Sequence, residues 1–577
     1  MDLAPGIRLA WTWYLGQIVR SAVPASITRR ADKANINISE RFLKLLRHDL
    51  TFRRIERGIR LLNANQDLLN SCGPWQENAA VLLGYVARWV EVGFADSGLI
   101  RSLLARFPDS ARGTLPAFGY MHLRMADGFN SMVGAKYDEA IRHFECALAI
   151  EQNIEDNELR VIGNYWTGRC LMRQGRYSDA LGYVAKSRKA ALELNPRETT
   201  AVVRVLEGRI VFEQGNSHEA ERLLGEAEKV LANTDDYITR GNIDFVYGKI
   251  AAQKGKYEQA LQRFTKAIEE YERRDPHLRN FARCEVSIAI VKRLLAMQIR
   301  DRIDRAAERR RGSQTNDASR GGSTHQYSKQ YLMRLREEAL EHLRTAYEVF
   351  ERHNDYRGKG EVYVAFGYLH LDHGNLDAAR SQGAAAYRLG DEKTDNVLRG
   401  WSRILQSAVE CARFDERIED AGSEQSAQFA IEFAREALEF AKCTQDRNLL
   451  AAAYIALGLA HCVDISENME EARLCSDKAE EILEPDNQGL LFPELLTLKR
   501  KLRSAESYDS IFRDWSQGLV GSKTFQEVSE EFAAIVIPKV WRREGYKISR
   551  VAARLSISPK KVRRILRHQG ISQTENS

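Results

Sequence analysis

Gly168-Arg169-Cys170-Leu171-Met172-Arg173-Gln174-Gly175-Arg176-Tyr177-Ser178-Asp179-Ala180 decides the fold, because its small residues recur along the chain. Gly128, Gly168, Gly208 and Gly248 are spaced by 40, and each is followed 12 residues later by Ala140, Ala180, Ala220 or Ala260. Seven residues further on stand Ala147, Ser187, Ala227 and Ala267. Turn cues lie between, as Gln174-Gly175, Gln214-Gly215 and Lys254-Gly255. The pattern returns at Gly367, Ala379 and Ala386, and with a two-residue slip at Gly458, Ala472 and Ala479.

Small residues at these steps let two antiparallel helices approach closely, and the apolar residues between them have helical spacing. Glycine at the turn supplies a backbone conformation that is costly for other residues. Each unit is a helical hairpin that cannot bury its own apolar face, so neighbours must stack. The ladder resembles the tetratricopeptide repeat, in which a helix A glycine is followed on helix B by an alanine, an aromatic and a second alanine. Ala140-Phe144-Ala147 and Ala260-Phe264-Ala267 match, while Val184 and Leu224 replace the aromatic in the other units. The resemblance implies an all-α fold: a right-handed α-solenoid of tetratricopeptide-like hairpins. The period exceeds that family's usual ~34 residues, so about one extra turn per hairpin is expected.

The chain has 577 residues, 44% hydrophobic content and only 11 prolines, which suits a long helical array. Its eight cysteines show no C-x-x-C pairing and no clustering with histidine, which points to reduced thiols and a cytoplasmic location. No apolar run approaches the ~18 residues of a membrane span. The stretch Leu9 to Leu15 lacks the basic start and pure apolar core of a signal peptide, and reads as an amphipathic first helix packed on the array.

Four parts are expected. Residues 1–75 form a helical cap, in which Phe52 to Leu69 reads as one amphipathic helix with Arg53, Arg54, Arg57 and Arg60 outward. Residues 76–503 form the solenoid. Its fifth hairpin is interrupted at about 300–329 by a polar, Gly/Ser-rich and basic stretch that reads as a disordered insert. Residues 504–524 are a linker, and 525–577 a separate domain.

The final part carries the charge. Lys539 to His568 holds eleven Lys or Arg and one acid, a local net of +10, so the rest of the chain carries −4 of the total +6. A basic tail on an acidic body seeks a polyanion. The segment Gly545 to Ile571 reads as two short helices joined by a tight turn, with Ser549 and Ser558 as caps and Pro559 in the first helical position. Pro538 predicts a kink or a break between Phe525 and Arg543. A second helix with basic residues along its outer side can insert into a major groove, where Arg or Lys pairs with guanine.

Ser549-Arg550-Val551-Ala552, Leu555, Ile557-Ser558, Arg564, Leu566 and Gly570-Ile571 fall in register with the Fis-type helix-turn-helix of bacterial enhancer-binding activators. Over about 50 residues, Phe525 to Ile571, the stretch resembles that module. The resemblance implies that Lys561 and Arg564 face the groove, that Lys547 and Arg550 lie near phosphate, and that Phe525 to Arg543 is a dimerisation helix. With Lys560, Arg563 and Arg567 on the outer side of the second helix and Ser558 at its cap, these make the expected DNA-binding set. Ser556 stands where that family has a turn glycine, and Pro559 replaces a polar residue that often touches DNA. The central ATPase of those activators has no counterpart in this sequence.

On the array, the repeat resemblance places Tyr165, Arg169, Met172, Arg173, Val205, Arg209, Phe212, Phe245 and Lys249 on the inner face. These mix aromatic and basic side chains, which suits an acidic peptide or another anionic ligand. Gly518 to Thr524 lacks the glycine before lysine that a phosphate loop needs, and His370-Leu371-Asp372-His373 offers too few ligands for a metal. No nucleophile–base arrangement stands out, so neither an enzyme nor a cofactor is expected. Three readings remain. The first is a DNA-binding transcriptional regulator, homodimeric on a two-fold site, whose solenoid binds a protein, peptide or small molecule. The second is an interaction scaffold with a structural C-terminal hairpin. The third is a regulator that inhibits an enzyme through its groove.

Overall fold

The computed structural model describes residues 38–152, 156–275, 277–312, 321–416, 423–463, 468–483, 489, 491–503, 523–544 and 546–568. Every regular element among them is a helix. The expectations for Leu9 to Leu15, for the linker over 504–522 and for Gly570-Ile571 lie outside the described residues.

Stacked hairpins form the body. The helices Ala117–Val133 and Tyr137–Glu151 pair, as do Asn157–Arg173 with Tyr177–Leu194, Arg197–Glu213 with Ser217–Leu231, and Tyr237–Gln253 with Tyr257–Glu272. Further hairpins follow over Arg279–Arg352, Tyr356–Glu392, Asn396–Lys442 and Arg447–Ile482, and a helix over 492–503 packs on the last.

The ladder glycines are where the packing fixes them. A Cβ on Gly128 would lie 2.4 Å from the Phe144 ring, and one on Gly248 would lie 2.5 Å from that of Phe264. Ala140, Ala147, Ala180, Ser187, Ala220, Ala227, Ala260 and Ala267 are all fully buried. The turn glycines Gly175, Gly215, Gly255 and Gly374 have φ of +75°, +96°, +69° and +76°. In the first hairpin Ala135 takes that position, at φ 58°.

Three details differ from the sequence reading. Phe52 to Leu69 is broken, with helices over Ile55–Ala64 and Gln66–Ser71 and Arg53 left-handed at φ 51°. Arg53 turns inward, because Asp236 accepts from it at 2.6 Å. In the fifth hairpin the helices run on to Gly312 and resume at Gly321, so most of the expected insert is helical. Its Arg, Ala and Glu content over 300–311 favours helix even though it has no apolar face. Residues 313–320 lie outside the described set.

The stack coils until distant hairpins touch. Asp235 accepts from the backbone N–H groups of Ile55 and Glu56 at 2.6 and 2.9 Å, and Arg274 meets Glu56 at 2.6 Å. Arg357 donates to the Arg173 carbonyl at 2.5 Å. The Gln445 N–H donates to the Gly175 carbonyl at 2.8 Å.

The C-terminal residues build a small three-helix unit of Phe525–Arg543, Ile548–Arg554 and Pro559–His568. Its core is Ile537, Val540, Trp541, Val551, Ala552, Val562, Ile565 and Leu566. Pro538 sits inside a single helix rather than splitting it.

Candidate functional sites

The coiling encloses a hollow of about 510 Å³ between the N-terminal cap, the first four regular hairpins and the starts of the Arg279–Gly312 and Tyr356–Asp372 helices. Of the expected groove residues, Tyr165, Arg169, Arg173, Arg209 and Phe245 line it, together with Met172 and Val205. Phe212 and Lys249 do not. Phe212 is buried in the core, and Lys249 lies over its ring at 5.3 Å and bonds Glu213 at 2.9 Å.

Around the hollow, basic side chains outnumber acidic ones. Arg53, Arg88, Arg169, Arg173, Arg209, Arg274, Arg279, Arg283 and Arg357 line it, against Glu91, Asp96, Glu158, Asp275 and Asp355. Several of these arginines are matched. Arg53 has Asp236, Arg88 has Glu158 at 3.3 Å, Arg169 has Glu91, Arg274 has Glu56 and Arg357 has Asp395 at 3.2 Å. Arg169 also lies over the Tyr165 ring at 5.9 Å, and burial with the nearby Glu91 pushes the Tyr165 phenol up to about 12.

Of the remaining four, Arg173, Arg209, Arg279 and Arg283, only Arg283 has a carboxylate within 4 Å among the described residues: Asp355, at 3.9 Å. Arg279 donates to the Val133 carbonyl at 3.4 Å, and Arg209 stacks over Phe245 at 5.8 Å while its buried Nε has no hydrogen-bond partner. Burial and the adjacent Arg173 hold the Arg283 guanidinium down at about 9. The same two causes, in that order, lower Arg209, with Glu213 opposing. Burial would raise the Asp355 carboxyl, but Arg283, the Gly358 N–H and Arg279 bring it below the usual range. Each cluster arginine is partly accessible and lines the hollow.

Sequence reasoning missed Arg279, Arg283, Asp355, Arg357 and Arg53. One signal was available: Arg283 falls at the 40-residue register of Gly163, Val203 and Ile243, so a cation stands where earlier repeats have glycine or a buried aliphatic. The others become neighbours only through the coiling, which no local pattern encodes.

In the C-terminal unit, Lys547, Arg550, Ser558, Lys560, Lys561, Arg563, Arg564 and Arg567 are all exposed. Ser558 caps the last helix, its Oγ accepting from the Lys561 N–H at 3.2 Å, and Pro559 follows at the first helical position. Ser549 is not a cap, because the preceding helix already starts at Ile548 with Lys547 at its N-cap. Ser556 is left-handed, at φ 51°, between the two short helices. Arg564 is tethered to Glu530 at 2.7 Å and Arg554 to Glu544 at 2.9 Å. Phe525 and Phe532 are exposed on the long helix.

His370 and His373 do not converge on a shared ligand position: His373 Nδ1 lies 2.6 Å from the Leu369 carbonyl, and Asp372 accepts two bonds from Arg293 at 2.7 and 3.0 Å. Among the described residues, no group of three or more potential metal ligands gathers and no helix is long and apolar enough to cross a membrane.

No protein-family model matches the chain, and no curated protein matches it in sequence. Among solved structures, the apo quorum sensor NprR from B. thuringiensis is similar at 11% identity and a TM-score of 0.44, covering 68% of this chain and 97% of its own. The human IFIT1 dimer with m7Gppp-AAAA is similar at 15% identity and a TM-score of 0.42, covering 80% and 89%. The Rap conjugation gene regulator of plasmid pLS20, in complex with the Phr* peptide, is similar at 13% and 0.39, covering 70% and 96%.

Proposed function

We propose that the chain is a DNA-binding transcriptional regulator whose coiled solenoid receives an anionic partner. The observation that carries the DNA half is the surface of the last helix. Val562, Ile565 and Leu566 point into the core, while Lys560, Lys561, Arg563, Arg564 and Arg567 stand in solvent. Among the described residues, only Arg564 of those cations has an acid partner within the unit, the exposed Glu530, so packing of the unit does not account for the row. Arg and Lys on an exposed helix can hold phosphate oxygens and pair with guanine edges. Phe525–Arg543 serves as the dimerisation helix in this reading, and two units then address a two-fold site.

A duplex-binding titration on the full chain tests it. Affinity falls with salt at a slope of about −0.9 per phosphate contacted. Lys561→Ala with Arg564→Ala weakens binding to a selected site more than to random duplex; equal loss on both leaves phosphate contact alone. A chain that binds duplex no better after selection than before, with no salt slope, removes the reading and leaves a scaffold.

A further inference from the structure

We infer that the hollow of the solenoid binds a small, multiply charged phosphate compound, a phosphate ester or oligophosphate, through Arg173, Arg209, Arg279 and Arg283. The inference rests on the reading of the hollow as the partner-binding end of the chain, and it names the chemistry of that partner.

Three observations converge. First, guanidinium stays charged at neutral pH, and of four such groups lining one space only Arg283 has a carboxylate within 4 Å among the described residues, Asp355 at 3.9 Å. Holding like charges together away from bulk water is costly. An incoming polyanion turns that cost into attraction, and the planar forks suit phosphate oxygens in pairs. Second, the nearby arginines that only brace the coil already have their own acids: Arg53 with Asp236, and Arg357 with Asp395. The surplus is therefore local to the four. Third, the space has the size and lining of a small-molecule site. Its volume is about 510 Å³, and Tyr165 and Phe245 give it aromatic walls. The cap meets the fourth regular hairpin through Arg53–Asp236 at 2.6 Å, and the loop after the Ala79–Glu91 helix meets His353 through Asp96 at 3.6 Å, so the hollow is bordered by contacts between distant parts of the chain.

The test is calorimetric titration of the full chain with sodium tripolyphosphate at constant ionic strength, beside hexaglutamate. Tripolyphosphate is expected to bind once per chain through the hollow. Arg173→Gln with Arg283→Gln weakens that binding at least tenfold, whereas Lys561→Ala with Arg564→Ala leaves it unchanged. Arg283→Lys keeps the charge but loses the fork, and gives an intermediate loss. Without polyphosphate the glutamine pair melts no lower than the wild type, since repulsion has been relieved. Tripolyphosphate raises the melting temperature of the wild type and not that of the pair. Binding that survives the glutamine pair but vanishes in the C-terminal variant overturns the inference, because the anion then sits on the tail. Hexaglutamate binding without tripolyphosphate binding overturns the phosphate class and keeps the hollow as a partner site. Failure of both ligands overturns both. A glutamine pair that melts lower and binds as tightly marks the arginines as structural.

Discussion

The Tyr177 hydroxyl donates to Asp446 Oδ2 at 3.3 Å, across 269 residues of sequence and inside the protein. Asp446 also caps the Arg447–His461 helix, accepting from the Leu449 N–H at 3.0 Å. Burial, and then the neighbouring Glu213, push its carboxyl up to about 6 from 3.8. Because the folded value lies above the unfolded one, the protonated form stabilises the fold. That contribution is fully present below the unfolded value and is lost as pH rises through about 6. Asp446→Asn keeps the cap and removes the charge. Its stability is expected to exceed that of the wild type at pH 8 by about 1–3 kcal/mol, with the gap closing toward pH 4. Paired thermal melts over that range check it.

The ladder glycines separate packing from helix propensity. Gly128→Ala gains about 1 kcal/mol of propensity but sets a methyl 2.4 Å from the Phe144 ring. Overpacking of this kind costs about 1–3 kcal/mol, so the variant is expected to melt lower. Gly182→Ala sits on the exposed side of the Tyr177–Leu194 helix, with nothing within 4 Å of the new methyl. It is expected to gain about 0.5–1 kcal/mol. Denaturant midpoints of the two variants should move in opposite directions.

Ser556 holds a left-handed conformation, at φ 51°, in the turn before the last helix. Ser556→Gly relieves a strain of roughly 1 kcal/mol and raises the resistance of the C-terminal unit to unfolding. Hydrogen exchange at Val562, Ile565 and Leu566 reads this unit apart from the solenoid. Unchanged protection there removes the prediction.

Glu530 holds Arg564 at 2.7 Å on the exposed surface. Such pairs are worth about 0–1 kcal/mol, so Glu530→Gln should leave folding intact. If Arg564 contacts DNA, the variant binds duplex about two- to fivefold tighter at low salt and loses that advantage as salt rises. Equal affinities at every salt concentration place Arg564 off the interface.

Local features were legible in the sequence, and features made by coiling were not. Gly128 and Phe144, or Ser558 and Lys561, meet within one hairpin or one turn, so spacing alone pairs them. Tyr165, Arg169, Arg173, Arg209 and Phe245 could be placed on one face by the 40-residue register. Phe212 and Lys249 follow the same register logic but are drawn off by each other and by Glu213. Arg53 was misread as solvated because Asp236, which turns it inward, lies 183 residues away. Asp355 and Arg283 meet the earlier repeats only after the coil has advanced, so the hollow's charge surplus could not be counted beforehand. Over 300–311, polarity argued against packing, and helix needs no packing when its residues favour it.

The contacts that join distant hairpins also bear on how the body comes apart. An open stack couples each repeat to its neighbours alone and can fray from either end. Here the Gln445–Gly175 bond and the Arg357–Arg173 bond tie the later hairpins to the second regular one, and Arg53–Asp236 ties the cap to the fourth. Loosening either terminus therefore means breaking seams in mid-chain. The body behaves less like a row of dominoes and more like a wound spring pinned at several points, and it should denature in one steep step rather than unravel.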